Sequence, residues 1–219
     1  MKPNVLTIAI GGMIGMAVAM GIGRFVYTPI LPYMAEALSL TKSEAGLIAA
    51  ANYLGYFFGA LAGATGALGG NRRSWILWSL AVSVLTTAAM AVDPSPYFFM
   101  ALRFFGGLAS AMFVVFGSAL VFERLAAAGR SDLSHVHFMG LGVGICSSAL
   151  LVAWLGGSGI GWDVQWIASG ALAFAGFAAV FFLIPRAAND TPTPAPAGGS
   201  RIDRRIIPMA LAYGLFGFG

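Results

Sequence analysis

The stretch Val5-Leu-Thr-Ile-Ala-Ile-Gly-Gly-Met-Ile-Gly-Met-Ala-Val-Ala-Met-Gly-Ile-Gly-Arg24-Phe-Val-Tyr-Thr-Pro-Ile-Leu-Pro-Tyr-Met34 decides the fold. Apart from Arg24 it is uncharged, and it exceeds the roughly 20 apolar residues with which a helix crosses about 30 Å of hydrocarbon. It is also much longer than the apolar core of a signal peptide, about 7 to 15 residues, which predicts a retained helix rather than a cleaved leader. A guanidinium in hydrocarbon costs about 2.5–3.5 kcal/mol on insertion scales, so Arg24 is kept only where it faces protein or a polar cavity. The surrounding Val, Leu, Ile and Phe side chains favour insertion by roughly 3 to 7 kcal/mol against that cost. Neighbouring helices should therefore assist, and Pro29 and Pro32 are expected to bend the outer end.

Working outward, the chain is 59% hydrophobic and only 9% charged, with 30 glycines, whereas soluble domains carry about 25% charged residues. The bilayer is its solvent. Six spans are predicted, at residues 5–34, 45–68, 75–92, 97–122, 137–155 and 164–184, and a seventh opens at 206 and runs to 219. Residues 185–205, with Thr191-Pro-Thr-Pro-Ala-Pro-Ala-Gly-Gly-Ser200, read as a flexible linker. The expected organisation is all-α: a six-helix transmembrane bundle over 1–184, a cytoplasmic linker over 185–205, and the start of a second bundle over 206–219.

Cytoplasmic segments of membrane proteins carry the excess of Lys and Arg. Lys2, Arg72, Arg73, Arg124, Arg130, Arg186, Arg201, Arg204 and Arg205 fall on one side of the predicted membrane and only Lys42 on the other, which places the N-terminus in the cytoplasm. Arg24 and Arg103 lie within spans, and all eight acids lie in links or at span ends. The net charge of +4 thus follows from topology, with no call for a nucleic-acid partner.

Gly217-Phe-Gly219 at the start of the seventh span echoes Gly21-Ile-Gly23 in the first. Parallel halves of six spans are a transporter plan. Gly21-Ile-Gly-Arg-Phe-Val-Tyr-Thr-Pro-Ile-Leu-Pro-Tyr-Met34, Ala51-Asn-Tyr-Leu-Gly-Tyr56 and the Gly-Leu-Phe-Gly-Phe-Gly ending resemble the YbfB/YjiJ group of bacterial major facilitator superfamily transporters. The resemblance implies a twelve-helix secondary transporter of the cytoplasmic (inner) membrane. This chain would be its N-terminal half, partnered by a missing C-terminal half, with the first and fourth spans lining the central cavity.

Three superfamily motifs match unevenly. The pattern Gly-x-x-x-Asp-Arg-x-Gly-Arg-Arg would fall on residues 64–73, where Arg72 and Arg73 are kept and Leu68 replaces the aspartate. Arg103-Phe-Phe-Gly-Gly107 fits Arg-x-x-x-Gly and resembles the arginine linked to proton coupling. Gly140-x-x-x-Gly144 is present, but Ile145 stands for the proline of the antiporter motif and Ser147 and Ser148 for later glycines, which does not support antiport.

Arg24 and Arg103 are the leading candidates for substrate binding or coupling. Together they suit a carboxylate or another small organic anion, because guanidinium makes bidentate charge-assisted bonds. The plainer readings are that Arg24 anchors at the outer headgroups, or that both pair with backbone carbonyls or with acids of the missing half. Tyr27, at i+3 from Arg24, and Asn52, the most polar residue of the second span, either line the cavity or hydrogen-bond a neighbouring helix. Arg72 and Arg73 serve a cytoplasmic gate or simply fix orientation. Gly55, Gly59 and Gly63, like Gly11 and Gly15, are spaced for close helix contact. Trp75, Trp78, Trp162, Trp166 and Tyr97 are expected as interface anchors.

An enzyme is not expected. Gly156-Gly-Ser158-Gly159 resembles an intramembrane protease motif, but both histidines, His135 and His137, lie at the other end of the same helix, roughly 30 Å away by rise. A single Cys146 offers neither a disulfide nor a metal quartet, and no phosphate-binding loop appears. No cofactor is expected; the expected partners are the lipid bilayer, a small-molecule substrate and protons. The competing reading is a membrane-embedded sensor or scaffold without transport.

Overall fold

The computed structural model describes residues 5–64 and 70–184, and every regular element among them is helical. The expected linker, the start of the seventh span and Leu68 lie outside the described residues. In chain order the elements are α1 (Val5–Met16), a π-helical segment (Ala17–Ile22), α2 (Tyr27–Leu38), α3 (Lys42–Ala64), α4 (Arg72–Ala89), α5 (Pro96–Ala127), a 3-10 turn (Ser131–Leu133), α6 (Ser134–Gly157) and α7 (Trp162–Leu183).

Five stretches are long and apolar enough to cross a membrane: Val5–Leu38, Lys42–Gly63, Pro96–Ala127, Ser131–Gly157 and Trp162–Leu183. The span expected at 75–92 forms a helix, α4, which is not among these five. Arg72, Arg73 and several hydroxyl residues lower its apolarity; three of those hydroxyls bond to the helix's own carbonyls, while Ser83 Oγ is buried with no partner among the described residues. Ser79 donates to the Trp75 carbonyl at 2.7 Å, Thr86 to Val82 at 2.8 Å and Thr87 to Ser83 at 2.7 Å. Asn71 caps the start of α4 by accepting from the backbone N–H groups of Arg73 and Ser74.

The first span is not one regular helix. Its hydrogen bonding loosens at residues 17–26, where Gly23 N–H reaches back to Val18 and Phe25 N–H to Met20, each five residues earlier. The departure thus comes before Pro29 and Pro32. Pro29 falls in the first turn of α2, where a missing donor costs little. Ser39, in the left-handed conformation, ends α2.

Two glycine seams allow the close approaches. A Cβ at Gly55 would overlap the Phe104 carbonyl, one at Gly59 the Leu108 carbonyl and one at Gly107 the Asn52 carbonyl, so α3 and α5 meet backbone to backbone. On the other side of the first span, Gly140 and Gly144 of α6 press on the carbonyls of Met13 and Ala17, and Gly21 presses on Gly144. The motif glycines of α6 therefore serve as its contact with the first span. Gly11 abuts Ile184 and Gly15 abuts the Phe113 ring.

The core runs through α2, α4, α5 and α7, with Ile30, Met34, Ile76, Leu80, Phe99, Phe113 and Trp166 fully enclosed. Trp166 departs from the expected anchor role. Its indole N–H points to Met34 Sδ at 3.1 Å, and its ring lies 6.5 Å from that of Tyr27. Trp75 is likewise turned inward, stacked on Phe116, whereas Trp78 and Tyr97 face outward.

Candidate functional site

The loosened part of the first span is where the candidate residues meet. Regular α-helices consume their own carbonyls, so a segment that slips toward i→i+5 bonding offers acceptors to its neighbours. Helix α5 takes them up from one face. Ser110 donates to the Ala19 carbonyl at 2.7 Å. Arg103, seven residues or about two turns earlier, donates from Nη1 to Gly23 at 3.0 Å and from Nη2 to Arg24 at 2.7 Å. Ser83 of α4 packs where a Gly23 side chain would stand, and Gly144 of α6 does the same at Gly21.

Arg103 is 5% exposed and spends its terminal nitrogens on these two carbonyls, while its Nε has no hydrogen-bond partner among the described residues. Its guanidinium carbon lies 5.1 Å from the centre of the Tyr27 ring. Tyr27 is itself buried and donates from its hydroxyl to the Ala45 carbonyl at 2.9 Å, which ties α2 to the first turn of α3. Asn52 is 2% exposed and donates from Nδ2 to the Arg103 carbonyl at 2.9 Å. Tyr27, Asn52 and Arg103 thus form one chain of contacts from α2 and α3 onto α5.

Arg24 differs from the other three. It is half-buried, and its guanidinium carbon sits 4.4 Å from the ring centre of Tyr56, 4.8 Å from that of Tyr53 and 5.5 Å from that of Phe25. Such ring faces stabilise a cation by about 0.5–2 kcal/mol each while leaving its in-plane N–H groups unused. Among the described residues its Nε is buried with no hydrogen-bond partner. Tyr53 is exposed beside it. Arg24 and Tyr27, although one turn apart, face different neighbours: the first lies on the tyrosines of α3, the second under Arg103.

Sequence reasoning had no role for Tyr53, Tyr56 or Ser110. The i, i+3 spacing of the two tyrosines on α3 and the two-turn spacing of Arg103 and Ser110 on α5 were the available signals.

The two remaining candidates, consecutive at the start of α4, lie apart from this cluster and turn to different partners. Arg72 pairs with Glu123, joining α4 to the end of α5. Arg73 donates from Nε to Ile184 at 2.6 Å and from Nη2 to Phe181 at 2.9 Å, so it caps the last carbonyls of α7. A groove of about 290 Å3 between α4 and α7 adjoins Arg73, and one of about 460 Å3 lies between Tyr33 and Trp162. Neither is lined by Arg24.

The protease-like Ser158 donates to the Trp154 carbonyl at 3.0 Å, and His137 is paired with Ser118 instead. Among the described residues no cluster of metal-ligating side chains occurs.

Comparison with known proteins agrees with the helical architecture. The chain is 26% identical over 190 residues to the inner membrane transport protein YdhP of Escherichia coli K12, and equally to that of Escherichia coli O157:H7. The match covers 85% of this chain and 47% of each relative, so the chain spans about half their length. A family described as "Uncharacterised MFS-type transporter YbfB" matches residues 16–219. That match takes in the loosened segment at 17–26, Arg24, Arg103 and the glycine seam between α3 and α5, and the chain belongs to this YbfB-type family of major facilitator superfamily transporters.

Proposed function

We propose that the chain is the N-terminal half of a secondary transporter that moves a small organic anion across the bacterial inner membrane by alternating access. In this reading α4 crosses the bilayer as the third of six spans, the N-terminus is cytoplasmic, and residues 185–205 lead into a second bundle beginning at 206. The nine-to-one distribution of Lys and Arg supports that orientation, and the names of the relatives support the membrane and the transport role.

The observation that carries the proposal is the contrast between the two arginines. Arg103 spends its Nη groups on the carbonyls of the first span and acts as a positioning residue. Arg24 lies against tyrosine rings with its Nε unpaired. A carboxylate meeting the edge of that guanidinium would gain charge-assisted bonds and neutralise a cation that is expensive to keep in a membrane. Asn52 and Tyr27 keep Arg103 in place, and Arg72 and Arg73 secure the cytoplasmic ends of α4, α5 and α7, where a gate would close. Protons are the coupling ion in this account.

The test is uptake of labelled benzoate, acetate and lactate by the full-length protein in liposomes. Wild type should accumulate at least one of them, Arg24→Gln should lose tenfold or more, and Arg24→Lys should keep part of the activity. Equal uptake by wild type and Arg24→Gln would overturn the assignment, and a correctly inserted protein that carries no anion would favour the sensor or scaffold.

A further inference from the structure

His137 lies outside the Arg24 cluster, at the junction of α1, α5 and α6, and its side chain is fully enclosed. Its Nε2 is 3.0 Å from Ser118 Oγ on α5. Its Nδ1 faces α1 at Gly12, where a Cβ would come within 2.7 Å of it, and among the described residues Nδ1 has no regular hydrogen-bond partner. The Phe113 ring stacks 6.3 Å from the imidazole, and Phe122 and Phe138 meet it edge-on at 5.5 and 5.4 Å. Ser118 and His137 are spaced like a nucleophile and its base, but an imidazole without exposed surface has no room for a substrate.

The groups turned toward the ring are Gly12 from α1, Phe113, Ser118, Val121 and Phe122 from α5, and Phe138 from α6. None is charged. The nearest titratable or charged neighbours along these helices are Glu123 and Arg124 on α5 and His135 on α6; Glu123 is paired with Arg72, and His135 is exposed. Among the described residues, therefore, no carboxylate meets the ring.

We propose that His137 is the proton-binding site of the transport cycle, and that its proton acts on the first span through Gly12. The proposal rests on the carrier reading above. When α1 moves off the ring and admits water, hydronium gives its proton to the lone pair of Nδ1 in the tautomer whose Nε2–H donates to Ser118, leaving water and an imidazolium with donors at both nitrogens. One donor has Ser118 as its acceptor; the other faces the backbone of α1 at Gly12 and draws α1 back onto the ring. The loosened segment at 17–26 separates α1 from Arg24, about 18 Å farther along the span. Proton and anion thus load the two ends of one broken helix, and deprotonation toward the other side resets it.

The test uses the full-length protein with 15N-labelled histidine in lipid nanodiscs, with imidazole nitrogen shifts followed between about pH 4 and pH 9. The His137 signal is the one absent from His137→Gln and shifted in Ser118→Ala. It should pass from a single neutral tautomer to imidazolium, and a tautomer unchanged over the whole range overturns the proposal. In liposomes, benzoate counterflow by wild type should change severalfold with internal pH and the profile should flatten in His137→Gln; an unaltered profile also overturns it. If wild type carries no benzoate, acetate or lactate, the carrier reading fails, and the nitrogen titration, which needs no substrate, still decides the proton site.

Discussion

Arg103 grips the backbone of Arg24, not its side chain: Nη2 lies 2.7 Å from the Arg24 carbonyl, while the Arg24 guanidinium turns away onto Tyr53 and Tyr56. One buried cation thereby fixes where the other is presented. The arrangement exists because the first span frees carbonyls at residues 17–26 and α5 supplies donors at a two-turn spacing.

Arg103→Gln should therefore act mainly on stability. Hydrogen bonds to charged groups contribute about 1.5–3 kcal/mol each, and this substitution removes two. The full-length protein in detergent should unfold at a clearly lower temperature. Arg103→Lys should fall between the two, since an ammonium is a point charge that does not span both carbonyls as a guanidinium does. An unfolding temperature unchanged in Arg103→Gln would show that the carbonyls of Gly23 and Arg24 do not depend on it.

Gly107→Ala should force α3 and α5 apart, because the new methyl would overlap the Asn52 carbonyl. Overpacking of this kind costs about 1–3 kcal/mol. Gly142→Ala is the control, with open space around the added methyl, and should unfold within a degree or two of wild type. Equal unfolding temperatures for the two variants would contradict the backbone contact.

The sequence made Arg24 and Arg103 legible, because a charge in an apolar run is costly wherever the helices pack. The four-residue glycine spacing on α3 was legible for a similar reason, since it repeats on one helix face. What the two arginines bond to was not: Arg103 meets residues 79 and 80 positions earlier, and Asn52 meets Arg103 across 51. No local pattern encodes such pairings. The break at residues 17–26 lies before the two prolines, and it carries glycine contacts to α4 and α6 that only the packed bundle reveals. Trp166 read as an interface anchor from its place near a helix end, yet α2 covers it. A helix was anticipated at 75–92 and is found at 72–89; that Ser79, Thr86 and Thr87 would spend their hydroxyls on its own carbonyls was not anticipated.

Tyr53→Leu should weaken anion binding while Tyr53→Phe should preserve it, because the ring face and not the hydroxyl meets Arg24. A cation–π contact of about 0.5–2 kcal/mol corresponds to roughly a twofold to thirtyfold loss in affinity. Titration of the full-length protein with benzoate measures it. Equal losses in the two variants would assign the effect to the hydroxyl instead.

Ser110→Ala removes one neutral donor from the loosened segment, at Ala19. A single such bond contributes about 0.5–1.5 kcal/mol, so the drop in unfolding temperature should be smaller than for Arg103→Gln. A drop as large as that of Arg103→Gln would mean that Ser110 is the main support of the broken helix.

The central claim is that Arg24 is the anion-binding group, and ligand-induced stabilisation tests it without requiring transport. At benzoate about a hundredfold above its dissociation constant, a protein that binds it gains about 2.7 kcal/mol against unfolding. The account predicts a raised unfolding temperature for the full-length wild type and for Tyr53→Phe, and none for Arg24→Gln. An Arg24→Gln protein stabilised by benzoate as much as wild type would place the anion elsewhere and contradict the account.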